Sequence, residues 1–194
     1  MTVKTKKRGR PTADKPALSM EKILEQAKML MQREGKIPSI RRLASSLEVD
    51  AMAIYYYFTN KAELLESITV SLVEDIYEPY TQIQRSSWRL ELQRLCESYL
   101  GLLQQYPGLL ETLLSMESLG PAQIFTQRFE QVISPLALSQ QDKDNAISLL
   151  ADYLHGYALA LNCQKAGATL TLEHLKGPLE LYCTGLEVKS DESD

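Results

Sequence analysis

Apolar residues recur at three- and four-residue intervals along most of the chain. Ile23, Leu24, Ala27, Leu30 and Met31 share one helical face. Ser19 precedes them as a candidate N-cap, and Leu18 is placed to staple onto Ile23. Gly35, directly after Glu34, ends the run. Pro38 disfavours helix at its predecessor, and Ser39 is a second N-cap candidate. Ile40, Leu43, Ala44 and Leu47 then mark a helix of about two turns. Val49 lies in a tight link, and a third short helix is predicted from Asp50 to Tyr57. Asn60 can cap a fourth, with Leu64, Leu65, Ile68, Leu72 and Ile76 on its buried side.

The remainder reads the same way. Helices are expected from Ser87 to Tyr106, from Gly108 to Met116, and from Pro121 to just before Pro135. A long one is expected from Gln141 to Lys165, stopped by Gly167. The last should run from Thr171 to Leu186 with a kink at Gly177-Pro178. No strand-like alternation persists beyond a few residues and no internal repeat occurs, so the fold class is all-α. Residues 1–17 carry Lys4, Lys6, Lys7, Arg8, Arg10 and Lys15 without apolar periodicity, a basic arm unable to bury a core by itself.

Charge divides the chain. Residues 1–66 hold 13 Lys/Arg against 8 Asp/Glu, a balance of +5, whereas residues 67–194 hold 8 against 17, a balance of −9. A basic head on an acidic body points to a polyanion that meets the head alone. One stretch there is unusual: Tyr55, Tyr56 and Tyr57 lie consecutively between Ile54 and Phe58. Helical neighbours diverge by about 100°, so three in a row cannot all enter one core. Ile54 and Phe58, four apart, can pack inward together.

Two short helices joined by a tight turn behind a longer one form a helix-turn-helix pattern. The segment PSIRRLASSLEVDAMAIYYYFTNKAELLESI resembles the DNA-binding domain of the TetR family of transcriptional regulators. The carrying residues are the Ser39 cap, Arg42-Leu43-Ala44, Leu47-Glu48-Val49, the Tyr55 to Phe58 run, and Asn60-Lys61. The KKRGRPT preamble resembles family members as well. Two positions depart from the pattern. Glu48 replaces the usual turn glycine, which demands a left-handed or adjusted backbone despite a Cβ and puts negative charge near the DNA face. Tyr57 stands where the family often has histidine.

The resemblance implies three parts: the basic arm (1–17), a helix-turn-helix DNA-binding domain (18–63), and a helical ligand-binding and dimerisation domain (64–194). It implies a ligand-responsive regulator, a repressor bound as a homodimer to a near-palindromic double-stranded DNA operator. Tyr55 and Lys61 are expected on phosphates, and Tyr56 on phosphate or a base edge. Tyr57 has two open roles, a backbone contact or packing between helices. Ser39 belongs to the same DNA-facing set. Ala51, Met52 and Ala53 offer only apolar contact to thymine methyl groups, which leaves Arg41 as the candidate for guanine. Arg8 and Arg10 resemble minor-groove inserts.

For the body, Trp88, Tyr99, Met116, Phe125, Phe129 and His155 are candidate lining of a small-molecule pocket, although such residues also fill cores. Leu149, Tyr153, Gly156, Tyr157 and Ala160, with Leu175, Leu179 and Tyr182, are candidates for a dimer seam or for an ordinary buried face. Asp152 and His155, three apart, are too few to argue for a metal. No cofactor is expected. No paired carboxylates, nucleophile–histidine set or phosphate-cradling glycine loop argues for an enzyme. Three scattered cysteines, no apolar run long enough for a membrane and no secretory pattern lead to a cytoplasmic expectation. The competing function is an interaction protein of the same fold that lacks sequence-specific DNA binding.

Overall fold

A computed structural model describes residues 18–163 and 170–192. Among them every regular element is helical: α1 (Met20–Glu34), α2 (Ile40–Leu47), α3 (Ala51–Tyr55), α4 (Lys61–Glu74), α5 (Trp88–Gln105), α6 (Leu109–Ser115), α7 (Gly120–Ile133), α8 (Gln140–Asn162), a 3-10 turn (Leu172–Leu175) and α9 (Lys176–Asp191). No helix among these residues is long and apolar enough to cross a membrane.

Three of the first four helices start at the expected caps, Ser19, Ser39 and Asn60, and α3 is capped by Asp50, expected inside the helix. Ser19, Ser39, Asp50 and Asn60 each accept a first-turn backbone N–H, which satisfies a donor that the helix itself cannot. Gly35 ends α1 with φ 64°. Glu48 ends α2 in the same left-handed region, with φ 55° and ψ 41°, and its N–H returns to the Ala44 and Ser45 carbonyls. Among the described residues it is the one non-glycine with positive φ. The helix-turn-helix geometry is therefore kept against a local steric cost of roughly 1–2 kcal/mol.

The head closes on Ile23, Ala27, Leu30, Met31, Leu43, Ala44, Ile54 and Phe58, all buried. Ala44 lets α2 lie close to its neighbours, and α2 packs on both α1 and α3. An ion pair reinforces the first joint. The Arg42 guanidinium donates through Nε (2.9 Å) and a terminal nitrogen (2.7 Å) to Glu34 Oε1. Arg42, followed by Arg33, holds the Glu34 carboxyl below its ordinary range.

α4 serves both parts of the chain. It packs against α1 in the head and most extensively against α7 in the body. Gly120, at the start of α7, makes that approach feasible: a Cβ there would lie 3.1 Å from Val70 Cγ2 and 3.2 Å from Glu66 Oε1. In the body, Arg89 on α5 is gripped by Glu180 and Glu187 of α9. Buried Glu91 accepts from the Tyr77 hydroxyl (2.5 Å) and from Arg94 (3.0 Å).

Four boundaries differ from expectation. α3 stops at Tyr55, because Tyr56 and Tyr57 already turn toward α4. α8 ends at Asn162, and the Gly167 stop lies outside the described residues. The last segment opens as a 3-10 turn, and α9 continues to Asp191. Gly177 and Pro178 occupy the first turn of α9, where the missing proline N–H costs no helical bond, so they start the helix rather than kink it.

Replacing Glu48 with glycine should relieve the left-handed strain. The expected gain is about 0.5–1 kcal/mol after the extra chain entropy of glycine is offset, measured by chemical denaturation of the full chain. A loss of stability would show that the Glu48 side chain contributes more than its backbone costs.

Candidate functional site

Two sites emerge, one on the head and one in the body. At the end of α3 the three tyrosines divide as helical geometry requires. Tyr56 is 87% exposed and Tyr55 41% exposed, whereas Tyr57 packs on the core. The Tyr57 hydroxyl donates a short hydrogen bond to the Leu18 carbonyl, just ahead of α1. Of its two expected roles, this geometry fits packing between helices. The hydroxyl is already committed inside the head and is not available to a phosphate. Tyr57 still acts on the surface indirectly, since its ring meets that of Tyr56 edge-on at 5.5 Å. The half-buried tyrosine is a wall against which the exposed one stands.

Arg41 and Lys61 are exposed, and neither has a hydrogen bond or ion pair among the described residues. Arg42, the adjacent arginine, is the one held by Glu34. Ser39 is exposed and caps α2 through its side chain. On α3, Met52 is largely exposed, whereas Ala51 and Ala53 are half-buried. At the start of α4, Glu63 accepts from the Thr59 N–H (2.6 Å) and hydroxyl (2.5 Å). That carboxylate is thereby drawn back onto the turn beside Lys61. Arg8 and Arg10 lie outside the described residues.

The second site is a cavity of about 130 Å³ between α4, α5, α6, α7 and α8. Tyr99, Met116, Phe125 and His155 line it, as the sequence suggested. Trp88 and Phe129 do not: both are wholly enclosed in the core, where large aromatic side chains gain most from burial. Val73, Leu113, Pro121, Thr126, Ile147 and Ala151 complete much of the wall. Sequence reasoning passed over these because small and aliphatic residues carry no chemical signature. Ile76, expected on the buried side of α4, lies just past its end and outside the lining, to which Val73 contributes from α4.

The cavity holds one polar pair. The Tyr99 hydroxyl lies 3.0 Å from His155 Nε2. Burial lowers the His155 pKa below its ordinary 6.5, partly opposed by Asp152. Burial also pushes the Tyr99 phenol up to about 12. Both groups are therefore neutral at physiological pH. Among the described residues no group of three or more His, Cys, Asp and Glu side chains could hold a metal.

α7 joins this cavity to α4. Phe125 and Ala122 face the cavity, and Arg128, one turn further on, reaches the carbonyl end of α4. Its guanidinium donates to the carbonyls of Val73 (3.1 Å), Glu74 (2.9 Å) and Ile76 (2.8 Å). At the opposite wall, Thr69 Oγ1 lies 3.7 Å from Met116 Sδ, and Ser118 donates to Glu66.

The seam candidates on α8 and α9 split. Leu149, Gly156 and Ala160 are exposed, and Tyr153 and Tyr182 are half-buried. Leu175, Leu179 and Tyr157 are buried within their own chain and cannot supply open surface. Tyr157 donates to the Thr171 carbonyl (2.6 Å), and Tyr182 to the Ala146 carbonyl (2.8 Å). The residues that are open instead are Leu181, 77% exposed, with Leu159 and Val188. Leu181 and Val188 are seven apart on α9, a helical spacing as regular in the sequence as that of the buried stripe.

Trihelical head, left-handed turn, exposed tyrosines and helical body together define a helix-turn-helix unit joined to an all-helical body. Residues 23–68 match the family described as bacterial regulatory proteins, tetR family. The HTH-type transcriptional repressor DrrR1 of Streptomyces coeruleorubidus is 28% identical over 146 residues, spanning 74% of this chain but only 54% of that protein. Apo ActR from Streptomyces coelicolor superposes with a TM-score of 0.77 at 18% identity, covering 91% of this chain and 98% of ActR. ActR is also solved in complex with actinorhodin, at TM-score 0.73, 16% identity and coverage of 90% and 99%. BioQ bound to its double-stranded DNA operator aligns at TM-score 0.67 and 19% identity, covering 89% and 99%. These solved structures share the fold.

The pH dependence of stability follows from His155. Unfolded, its imidazole titrates near 6.5; folded, it titrates lower. Between the two values the unfolded chain holds the extra proton, so stability falls as pH is lowered through that window. His155→Gln should flatten the curve there, as read from denaturation midpoints across the window. An unchanged slope would assign the effect to other groups.

Proposed function

We propose that this protein is a ligand-responsive transcriptional repressor that binds a near-palindromic operator as a homodimer. The observation that carries the reading is the head surface: Tyr56, Tyr55, Arg41 and Lys61 stand exposed around a short recognition helix, while their neighbours Tyr57 and Arg42 are consumed in holding the head together. Phosphate contacts from tyrosine and lysine would set the register, and base-edge contacts would carry sequence information. α3 presents Met52 between two alanines, so its share of readout is apolar contact with thymine methyls and sensitivity to DNA shape. Arg41 is the polar reader. The relatives support this in kind: DrrR1 is named a repressor, and BioQ is solved on its operator.

Dimerisation would use the open apolar face of α8 and α9. Leu149, Leu181 and Tyr153 flank a groove there, and side chains added at Gly156 or Gly185 would meet open space. Two heads would then address half-sites about one helical turn, ~34–36 Å, apart. Ligand response would run through α7. A molecule in the cavity presses on Phe125 and Ala122, and Arg128 on the same helix carries the displacement to the end of α4, whose other end bears Lys61. The shift in DNA affinity is bounded by the ligand's difference in affinity between the two conformations.

Selection of bound fragments from random duplex DNA is the primary test, with a discrete palindrome as the expected result. Diffuse, salt-sensitive binding would favour a helical interaction protein without sequence specificity. On the selected site, Arg41→Ala should relax preference at one base position by about 1–3 kcal/mol. Lys61→Ala should weaken all sequences alike and reduce the salt slope by about one ion. Equal loss on every sequence for both variants would reassign Arg41 to phosphate. Leu181→Glu should yield a folded monomer in sedimentation with sharply reduced operator binding; a persistent dimer would exclude this face.

A further inference from the structure

The cavity between α4, α5, α6, α7 and α8 has a composition that restricts its occupant. Every lining side chain is uncharged, and most are aliphatic or aromatic. The Tyr99–His155 pair is a concentrated polar feature on the wall, with its atoms 3.0 Å apart. We infer that the effector is a small uncharged aromatic molecule carrying a single hydroxyl-type group, held with its ring against Phe125 and its oxygen at the Tyr99–His155 pair. This rests on the reading of the cavity as the effector site.

Three observations converge on that class. The first is size. A cavity of about 150 Å³ with an apolar lining accepts a benzene ring, and this one measures about 130 Å³. One ring with a small substituent matches that scale. The second is charge. An ionised ligand would lose its hydration with no lining group of opposite charge to replace it, and both members of the polar pair are neutral at physiological pH. The third is the versatility of the pair. Tyr99 can donate to Nε2, or the ring can carry its proton on Nε2 and donate to the phenol oxygen. In either arrangement a lone pair or a proton remains for one further hydroxyl. Phe125, whose ring centroid lies 4.8 Å from that of Tyr99, offers an aromatic surface beside this group. Leu114, on the lining yet largely exposed, marks the side from which a ligand enters.

The test uses the purified full chain and three single-ring probes: p-cresol, toluene and benzoate. Calorimetry and thermal shift should show p-cresol binding about two- to tenfold more tightly than toluene, the range expected from one net hydrogen bond. Benzoate should produce no shift at the same concentration. In Tyr99→Phe the preference for p-cresol over toluene should narrow toward one. In Ala151→Phe, which fills the cavity from α8, both should cease to bind while the far-ultraviolet spectrum stays helical. The inference is overturned if benzoate binds as well as p-cresol, if the cresol preference survives Tyr99→Phe, or if none of the three binds. Operator binding measured with and without p-cresol separates the two claims. Tight cresol binding that leaves DNA affinity unchanged would sink the regulatory reading and leave the chemical class standing.

Discussion

One guanidinium holds the carbonyl end of α4. Helix C-termini leave carbonyls without partners, and Arg128 takes those of Val73, Glu74 and Ile76 from a neighbouring helix. This is why α4 can end abruptly at Glu74 without a glycine cap and still be rigidly oriented. It also means that α4 is positioned from α7 and not only by its own sequence. The rest of the molecule is arranged around that dependence. Leu64 and Ile68 complete the core of the head, Leu72 and Val73 that of the body, and one rod of fourteen residues spans the two. Lys28 of α1 adds a further tie, pairing with Asp75 at 2.9 Å and donating to the Ser71 carbonyl at 3.2 Å.

The head follows a similar economy, in which adjacent and chemically identical residues divide their duties. Arg42 and Arg41 are consecutive, yet one is chelated by Glu34 and the other is open. Tyr57 and Tyr56 are consecutive, yet one hydroxyl is bound within the fold and the other faces solvent. The angular step of the helix sorts them. Structural neighbours stiffen the platform from which exposed neighbours act, so loss of either member of a pair would disturb the same surface by different routes.

Most of the head could be read from the chain because its signals are local. Ser19, Ser39 and Asn60 cap within three residues, and Glu48 follows from a turn pattern. The body could be read as helices but not as sites. Whether Trp88 or Met116 faces a cavity depends on how α5 is rotated against α7 and α8, which no local pattern encodes. On α9 the stripe containing Leu175 and Leu179 and the stripe containing Leu181 and Val188 are both apolar. Only the packing of α5 against one of them decides which is core. Arg128 was invisible for a related reason: its partners are main-chain carbonyls, and those carry no residue identity.

The Tyr57 hydrogen bond has a geometric corollary for the amino-terminal segment. By pinning the Leu18 carbonyl beside the recognition turn, it fixes the anchor from which everything upstream must be paid out. Arg10 is eight residues ahead of that anchor, and a fully stretched chain gains at most roughly 3.5 Å per residue, about 28 Å in all. That length bounds how far the Arg10 backbone can lie from the Leu18 carbonyl.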